Sequence, residues 1–389
     1  MPIALNGPLE PLSSAEFSVP DFRRSDEIDE RQQRVAELLE RRDLDALLIS
    51  QPANFAWFTV GGCNVLGLAN RTNASLFLTK DARVVLANNV DSQQVFDREL
   101  NGLGFQLKER PWYEPPEVLI SDLCRGRRVG TDAGLAEKNE QKSVVSDFDT
   151  FRTQLSPLEI EQLRTIGRDV VHAIEATARS CQPGQSEQDI AGEVSHRLIR
   201  RGVDPLNLQV LGDGRARLYP HGNFSNAPVV RWCSISATGR RNGLHVTATR
   251  SVAFNEFDAK QRDAHHRAVL MQATGMFFSQ AGWKLSETWK RVIRIYEKFG
   301  VPDEWQLADQ GEVMGYSPEE TPIVPHSEFQ LESGMPVCWR PSVGPSPLGD
   351  TILVTDAGHE VLTPTESWPE VTVSVRGHSM NRPDVLIRG

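Results

Sequence analysis

The residue in this chain best suited to moving protons is His221, set between Pro220 and Gly222 in "YPHG". An imidazole titrates close enough to neutrality to act as both general acid and general base. Further along, Glu312, Glu319 and Glu320 fall within "GEVMGYSPEETP", and Arg340 follows in "VCWRP". Carboxylates of this kind can orient water or a cationic nitrogen, and a guanidinium can hold a carboxylate or a developing oxyanion. The same residues could instead form a structural ion-pair cluster. Between these groups lies "ISATGRRNGLHVTATR", residues 235–250, which reads as two short strands about a tight turn. His245 and Thr247 are two apart on one of those strands, so their side chains share a face. Ser236 lies on the other strand.

Elements that could position these residues are legible around them. After residues 1–28, a Pro-, Ser- and charge-rich arm, a helix is predicted to start near Asp29, with Val35, Leu38 and Leu39 on one face. "ALLIS", "NFAWFTVGG", "ASLFLT" and "ARVVLAN" read as strands, and "DSQQVFDREL" as a helix. Strand character returns at "RRVGTD", which completes an α/β domain over 29–150. In 151–389 the pattern is α+β. Ser156, Pro157 and Glu159 open one helix with a capping box, and Ser186 caps a second that Gly202 closes. Strand-like runs follow at 207–211 and 228–254, then helices at 259–281 and 285–299, and finally strands in "MPVCWRP", "TILVT" and "EVLT".

Bulk properties narrow the function. With 389 residues, 39% hydrophobic and 24% charged, the composition is that of a soluble two-domain protein. A net charge of −10 argues against nucleic acid as a partner. The five cysteines are scattered without zinc-like spacing, which fits a reducing compartment. The first residues lack a signal-peptide pattern, and no run of 18 apolar residues is present, so a cytoplasmic protein with no membrane partner is expected.

Seven segments in order, across about 230 residues, resemble the "pita-bread" family of creatinase, prolidase and the methionine and Xaa-Pro aminopeptidases. "SPLEIEQLR" is similar to the entry helix, "GQSEQDI" to the second helix start and "YPHG" to a strand carrying Pro-His. "GLHVTATR" resembles Gly-Tyr-x-x-Asp-x-Thr-Arg, and "GEVMGYSPEETP" resembles Gly-His-Gly-x-Gly followed by His-Glu-x-Pro. "LESGMPVCWRP" and "GDTILVTDAGHEVLT" resemble the closing strands. "DALLISQPANFAWFTVGG" is similar to the creatinase-type N-terminal domain. The resemblance implies a curved antiparallel sheet flanked by helices, behind an α/β N-terminal domain. It also implies a homodimer, with one chain's small domain leaning over the other's site. Asn64 and Arg71 would belong to that contact, Arg71 as a substrate-binding residue.

Metal-dependent members of this family hold two ions with two Asp, one His and two Glu. Those positions fall here on Ser236, Thr247, Glu312, Arg340 and Gly349, the last beside Asp350. Hard divalent ions need several anionic oxygens, and Arg340 puts a permanent positive charge where an ion would sit. No metal and no other cofactor is therefore expected. The resemblance implies that His221 transfers protons, as in metal-free creatinase, and that Glu320 takes the place of the family's catalytic Glu. It leaves Glu312 as a further catalytic candidate, with Ser236, His245, Thr247, Arg340 and Asp350 facing the substrate.

Three functions follow: a metal-independent hydrolase of a C–N bond in a small polar or peptide-like substrate, a non-catalytic binding module such as the peptidase-like domain of a histone-chaperone subunit, and an Xaa-Pro aminopeptidase. A shared site requires Arg340 within about 4 Å of Glu312. It also requires His221 at the rim, within roughly 12 Å of Arg340.

Overall fold

A computed structural model describes residues 22–68, 71–133 and 142–389. Helix α1 (Phe22–Arg42) starts ahead of the expected Asp29 and buries Ile28, Val35, Leu38 and Leu39 together with Arg31. Residues 22–28 therefore belong to the helix and not to an arm, whereas 1–21 lie outside the described residues. Next come β1 (Ala46–Ile49), α2 (Pro52–Phe58), β2 (Ala74–Leu78) and β3 (Arg83–Asn88). The helix α2 corrects the strand expected for "NFAWFTVGG". Phe55, Trp57 and Phe58 are all buried, and a run that is apolar on every side shows no period to distinguish helix from strand. Pro52, in the first turn where its missing N–H costs nothing, favours the helix.

Helix α3 (Ser92–Gln94), continued by a π-turn to Glu99, leads to β4 (Gln106–Arg110), α4 (Pro116–Cys124), β5 (Val129–Thr131) and β6 (Lys142–Ser143). The six strands form one sheet in the order β4-β3-β2-β1-β5-β6. Strand β2 is antiparallel to both β1 and β3, while β4 runs parallel to β3 and β5 parallel to β1. The carboxyl ends of β1, β3, β4 and β5 consequently share one edge.

After α5 (Val145–Thr153), the larger half opens with α6 (Pro157–Ser180) and α7 (Glu187–Ile199). Both expected caps form. Ser156 Oγ accepts from Glu159 N at 3.2 Å while the Glu159 carboxylate accepts from Ser156 N at 2.6 Å, and Ser186 and Asp189 repeat the exchange at 3.1 and 3.0 Å. Each cap is worth about 1 kcal/mol. Strand β7 (Asp204–Gly212) precedes the hairpin of β8 (Trp232–Arg241) and β9 (Leu244–Phe254). Its two-residue turn, Asn242-Gly243, has φ of 52° and 76°, and positive values at both positions match the twist of the flanking strands. That turn fixes the register, pairing Ser236 with Thr249 and Thr238 with Thr247.

Helices α8 (Ala259–Phe278) and α9 (Leu285–Lys298) pack on one another ahead of β10 (Gly311–Val313), β11 (Thr321–Pro322) and β12 (Pro336–Trp339). Next are the short pair β13 (Ser342–Val343) and β14 (Ser346–Pro347), then β15 (Asp350–Thr355) and β16 (Gly358–Val361). The hairpin β17 (Glu370–Val375) and β18 (His378–Pro383) and the strand β19 (Leu386–Arg388) follow, beyond the strands expected from the sequence. The main path of the second sheet is β11-β10-β12-β15-β9-β8-β7, with β16 on β15 and β19 parallel to β9. It is the expected curled antiparallel sheet, and α6 covers β8 and β9 while α7 covers β7.

Charged groups join the two halves. Arg31 of α1 pairs with Glu159 of α6 at 2.6 Å, over the ring of Trp57. Arg152 of α5 pairs with Glu320 at 2.8 Å.

Candidate functional site

Strands β10 and β12 are antiparallel, with Gly311 opposite Trp339 and Glu312 opposite Cys338. The ladder continues one step further, where Arg340 N donates to Gln310 O at 2.8 Å, so the Arg340 side chain starts beside the 309–312 segment. Its Nη2 lies 2.7 Å from Glu312 Oε2 and donates to Asp309 Oδ2. The other oxygen of Asp309 is 2.8 Å from His221 Nε2. Four side chains thus form one line, His221–Asp309–Arg340–Glu312, running from an imidazole 63% exposed to a carboxylate 4% exposed. "YPHG" is not a strand. It follows a 3-10 turn at Arg215–Arg217, and Gly222 N closes it on Tyr219 O, so the histidine is carried by a turn.

Burial is the main influence on Glu312. It pushes the carboxyl up to about 7, with Asp309 adding to the rise and Arg340 opposing it. Glu312 Oε2 has no aligned hydrogen-bond donor, so the 2.7 Å approach of Arg340 Nη2 is a charge contact, and Arg340 Nε is likewise buried without a hydrogen-bond partner. Arg340 already faces two carboxylates. The expectation that it clamps a substrate's carboxylate therefore loses its basis: with Glu312 ionised and His221 neutral, the four groups carry one excess negative charge.

A cavity of about 50 Å³ adjoins this line, and Ser236, Thr249 and Leu348 share its lining with His221, Asp309 and Arg340. It has room for one or two waters or the tip of a ligand. Thr249 Oγ1 donates to Ser236 Oγ at 2.9 Å, which ties up the hydroxyl at one family ligand position. At another, a Cβ on Gly349 would stand 2.4 Å from Thr249 Oγ1, so a glutamate there would not fit without movement. With Arg340 at a third, the residues present do not fit a pair of divalent ions. Among the described residues no group of three or more His, Cys, Asp or Glu is placed to hold a metal.

Several expected site residues lie elsewhere. Glu320 is not in this cavity: Arg152 grips both its oxygens at 2.8–3.1 Å, and Ser317 N donates to it at 2.8 Å, which makes it a structural ion pair. His245 is fully buried beside Gly315 O at 3.1 Å, and burial lowers its pKa to about 4, so at neutral pH it is an uncharged packing group. Thr247 is buried as well, its hydroxyl shared with Thr238 at 2.7 Å and its backbone bonded to Thr351. Asp350 is enclosed by Arg250 at 2.8 Å, Thr363 at 2.8 Å and Arg382. Asn64 is buried, donating to Ser50 O and Ala74 O. Arg71 lines a groove in the N-terminal half and, within one chain, does not meet His221.

Two residues of the site escaped sequence reasoning. Asp309 belongs to no periodic pattern and to none of the segments that carry the resemblance. Thr249 could have been found, since the Asn242-Gly243 turn places it opposite Ser236.

Comparison with known proteins gives two family-model matches: metallopeptidase family M24 over residues 161–358, and the creatinase/prolidase N-terminal domain over 31–166. An Xaa-Pro dipeptidase of Pyrococcus furiosus is 21% identical over 353 residues, spanning 87% of this chain and 98% of that protein. Among solved structures, an Xaa-Pro dipeptidase from Bacillus anthracis superposes with a TM-score of 0.73 at 18% identity, covering 87% of this chain and 99% of its own. The N-terminal domain of the FACT complex subunit SPT16 from chickpea gives a TM-score of 0.66 at 14% identity, covering 89% and 96%.

Proposed function

The chain belongs to metallopeptidase family M24, and from that premise we propose that it hydrolyses a C–N bond of a short peptide or peptide-like molecule with its own acid–base groups in place of a metal pair. The observation that carries this reading is the line His221–Asp309–Arg340–Glu312, in which Arg340 and Glu312 occupy positions that the resemblance assigns to metal ligands. His221 stands at the rim with one nitrogen held by Asp309. In the proposed reaction it takes a proton from the attacking water and returns it to the leaving nitrogen. Glu312, with a pKa near 7, supplies a second group populated in both protonation states at neutral pH. The excess negative charge favours a ligand that presents a cationic nitrogen, and a peptide's terminal ammonium would enter the small cavity while the rest of the molecule lies on its rim.

Each alternative has an observation in its favour. The relatives named Xaa-Pro dipeptidase support a peptidase more than a creatinase-like enzyme, and an ordinary metal-dependent Xaa-Pro peptidase is the second reading. A cavity of about 50 Å³, well below the several hundred usual for a substrate pocket, favours a non-catalytic binding module. A homodimer and a cytoplasmic location belong to the same proposal. Among the described residues no helix is long and apolar enough to cross a membrane.

The test is turnover of an Xaa-Pro dipeptide panel by the purified protein, with a chelator or with added Mn²⁺, alongside His221→Ala. Chelator-resistant cleavage lost in that variant supports the proposal. Cleavage that requires Mn²⁺ selects the metallopeptidase, and saturable binding without turnover selects the binding module.

A further inference from the structure

A cavity of about 570 Å³ lies in the N-terminal half, with His221 outside its lining. It opens at the edge where the carboxyl ends of β1, β3 and β4 meet the start of β2, since Ser50, Asn88, Arg110 and Ala74 all line it. Crevices outside the carboxyl ends of strands are where open α/β sheets bind ligands, and the volume falls in the range of small-molecule sites.

The lining has unmet needs of three kinds. Among the described residues Arg71 and Arg110 form no ion pair with any carboxylate, and Arg110 donates there only through Nη1, to Pro111 O and Glu114 O. Uncompensated guanidinium forks are suited to a carboxylate. Asn73 Oδ1 is buried without a donor, and Glu114, which also lines the cavity, pairs with no cation among the described residues. These two acceptors suit an ammonium group. Trp112 and Tyr113, 65% and 70% exposed, present an edge-to-face pair of rings with centroids 5.9 Å apart. Rings left in water at a cavity mouth offer a stacking platform.

We propose that this cavity binds a free aromatic α-amino acid. Its carboxylate would lie between Arg71 and Arg110, its ammonium toward Asn73 Oδ1 and Glu114, and its ring against Trp112 and Tyr113. A ligand of one charge sign would satisfy only half of the lining. The inference does not depend on the reaction proposed for His221.

Isothermal titration of the full chain with L-phenylalanine tests it, with 3-phenylpropionate and phenethylamine as probes lacking one charge each. The variants are Arg71→Gln and Trp112→Ala, both at exposed side chains, with far-UV circular dichroism to confirm folding. Saturable phenylalanine binding is expected, weakened tenfold or more by loss of either charge and by either variant. No binding up to about 10 mM, equal binding of all three compounds, or binding unaffected by both variants overturns the proposal. Loss of binding in His221→Ala but not in Arg71→Gln also overturns it, because the ligand would then occupy the other cavity.

Discussion

Replacing Glu312 with Gln removes the one family-ligand position that still carries a carboxylate, and the structure gives the sign and size of the result. Burial lifts this carboxyl from an ordinary 4.5 to about 7. As pH rises above 4.5 the unfolded chain gives up this proton while the native chain keeps it until about 7, so wild-type stability falls across that window and levels off above it. At about 1.4 kcal/mol per pH unit, the ionised side chain costs ~3 kcal/mol at pH 8 relative to its protonated form. Glutamine imitates the protonated form and does not titrate, and Arg340 keeps Asp309 as a counter-charge. The variant and the wild type should therefore differ by a constant below about pH 4, and from there the variant should gain ~3 kcal/mol on the wild type by pH 8. Urea unfolding of both proteins at half-unit pH steps measures this directly. A difference that does not change with pH, or a variant that loses ground toward pH 8, would refute the reasoning. The 2.7 Å contact with Arg340 would then outweigh burial.

Three further outcomes follow from the same contacts. Glu320→Ala leaves the buried Arg152 with Asn54 and, as its one remaining carboxylate, Asp149 at 2.8 Å, so urea unfolding should show a loss of about 3 kcal/mol. If the proposed chemistry operates, the folded fraction of that variant should keep the wild-type kcat, since Glu320 lies outside the cavity. Asp309→Asn removes the carboxylate that holds His221, and kcat on any substrate found should drop by about 100-fold, with a smaller change in KM. Gly349→Ala sets a methyl group 2.4 Å from Thr249 Oγ1, and the overpacking should cost about 1–3 kcal/mol in the same unfolding assay.

What could be read from the sequence was local. The capping residues Ser156 and Ser186, the periodic face of α1 and the tight turn at Asn242-Gly243 each announce themselves within a few residues, and all form. The aromatic run in α2 misled because a segment buried on every side has no polar face to reveal its period. Strands β17 and β18 pair mainly with each other and bury little, so the apolar pattern that identifies a core strand is weak there. At the site, the pairing of Arg340 with Glu312 was foreseeable once both were seen as ligand positions on neighbouring strands. The capture of Glu320 by Arg152 was not, because a contact spanning 168 residues leaves no trace in either segment. Asp309 was hidden for a similar reason: its partners Arg340 and His221 lie 31 and 88 positions away, and only the assembled sheet and the 215–222 turn bring the three together.

By the resemblance, the Arg340 guanidinium and the Glu312 carboxylate stand where relatives of this fold would hold ions, in a lining that does not fit a metal pair. The direct measurement is mass-spectrometric metal analysis of the purified chain after incubation with Mn²⁺ and desalting. Well under one divalent ion per chain is expected, and the same result for Arg340→Met. Two ions retained per chain would contradict it.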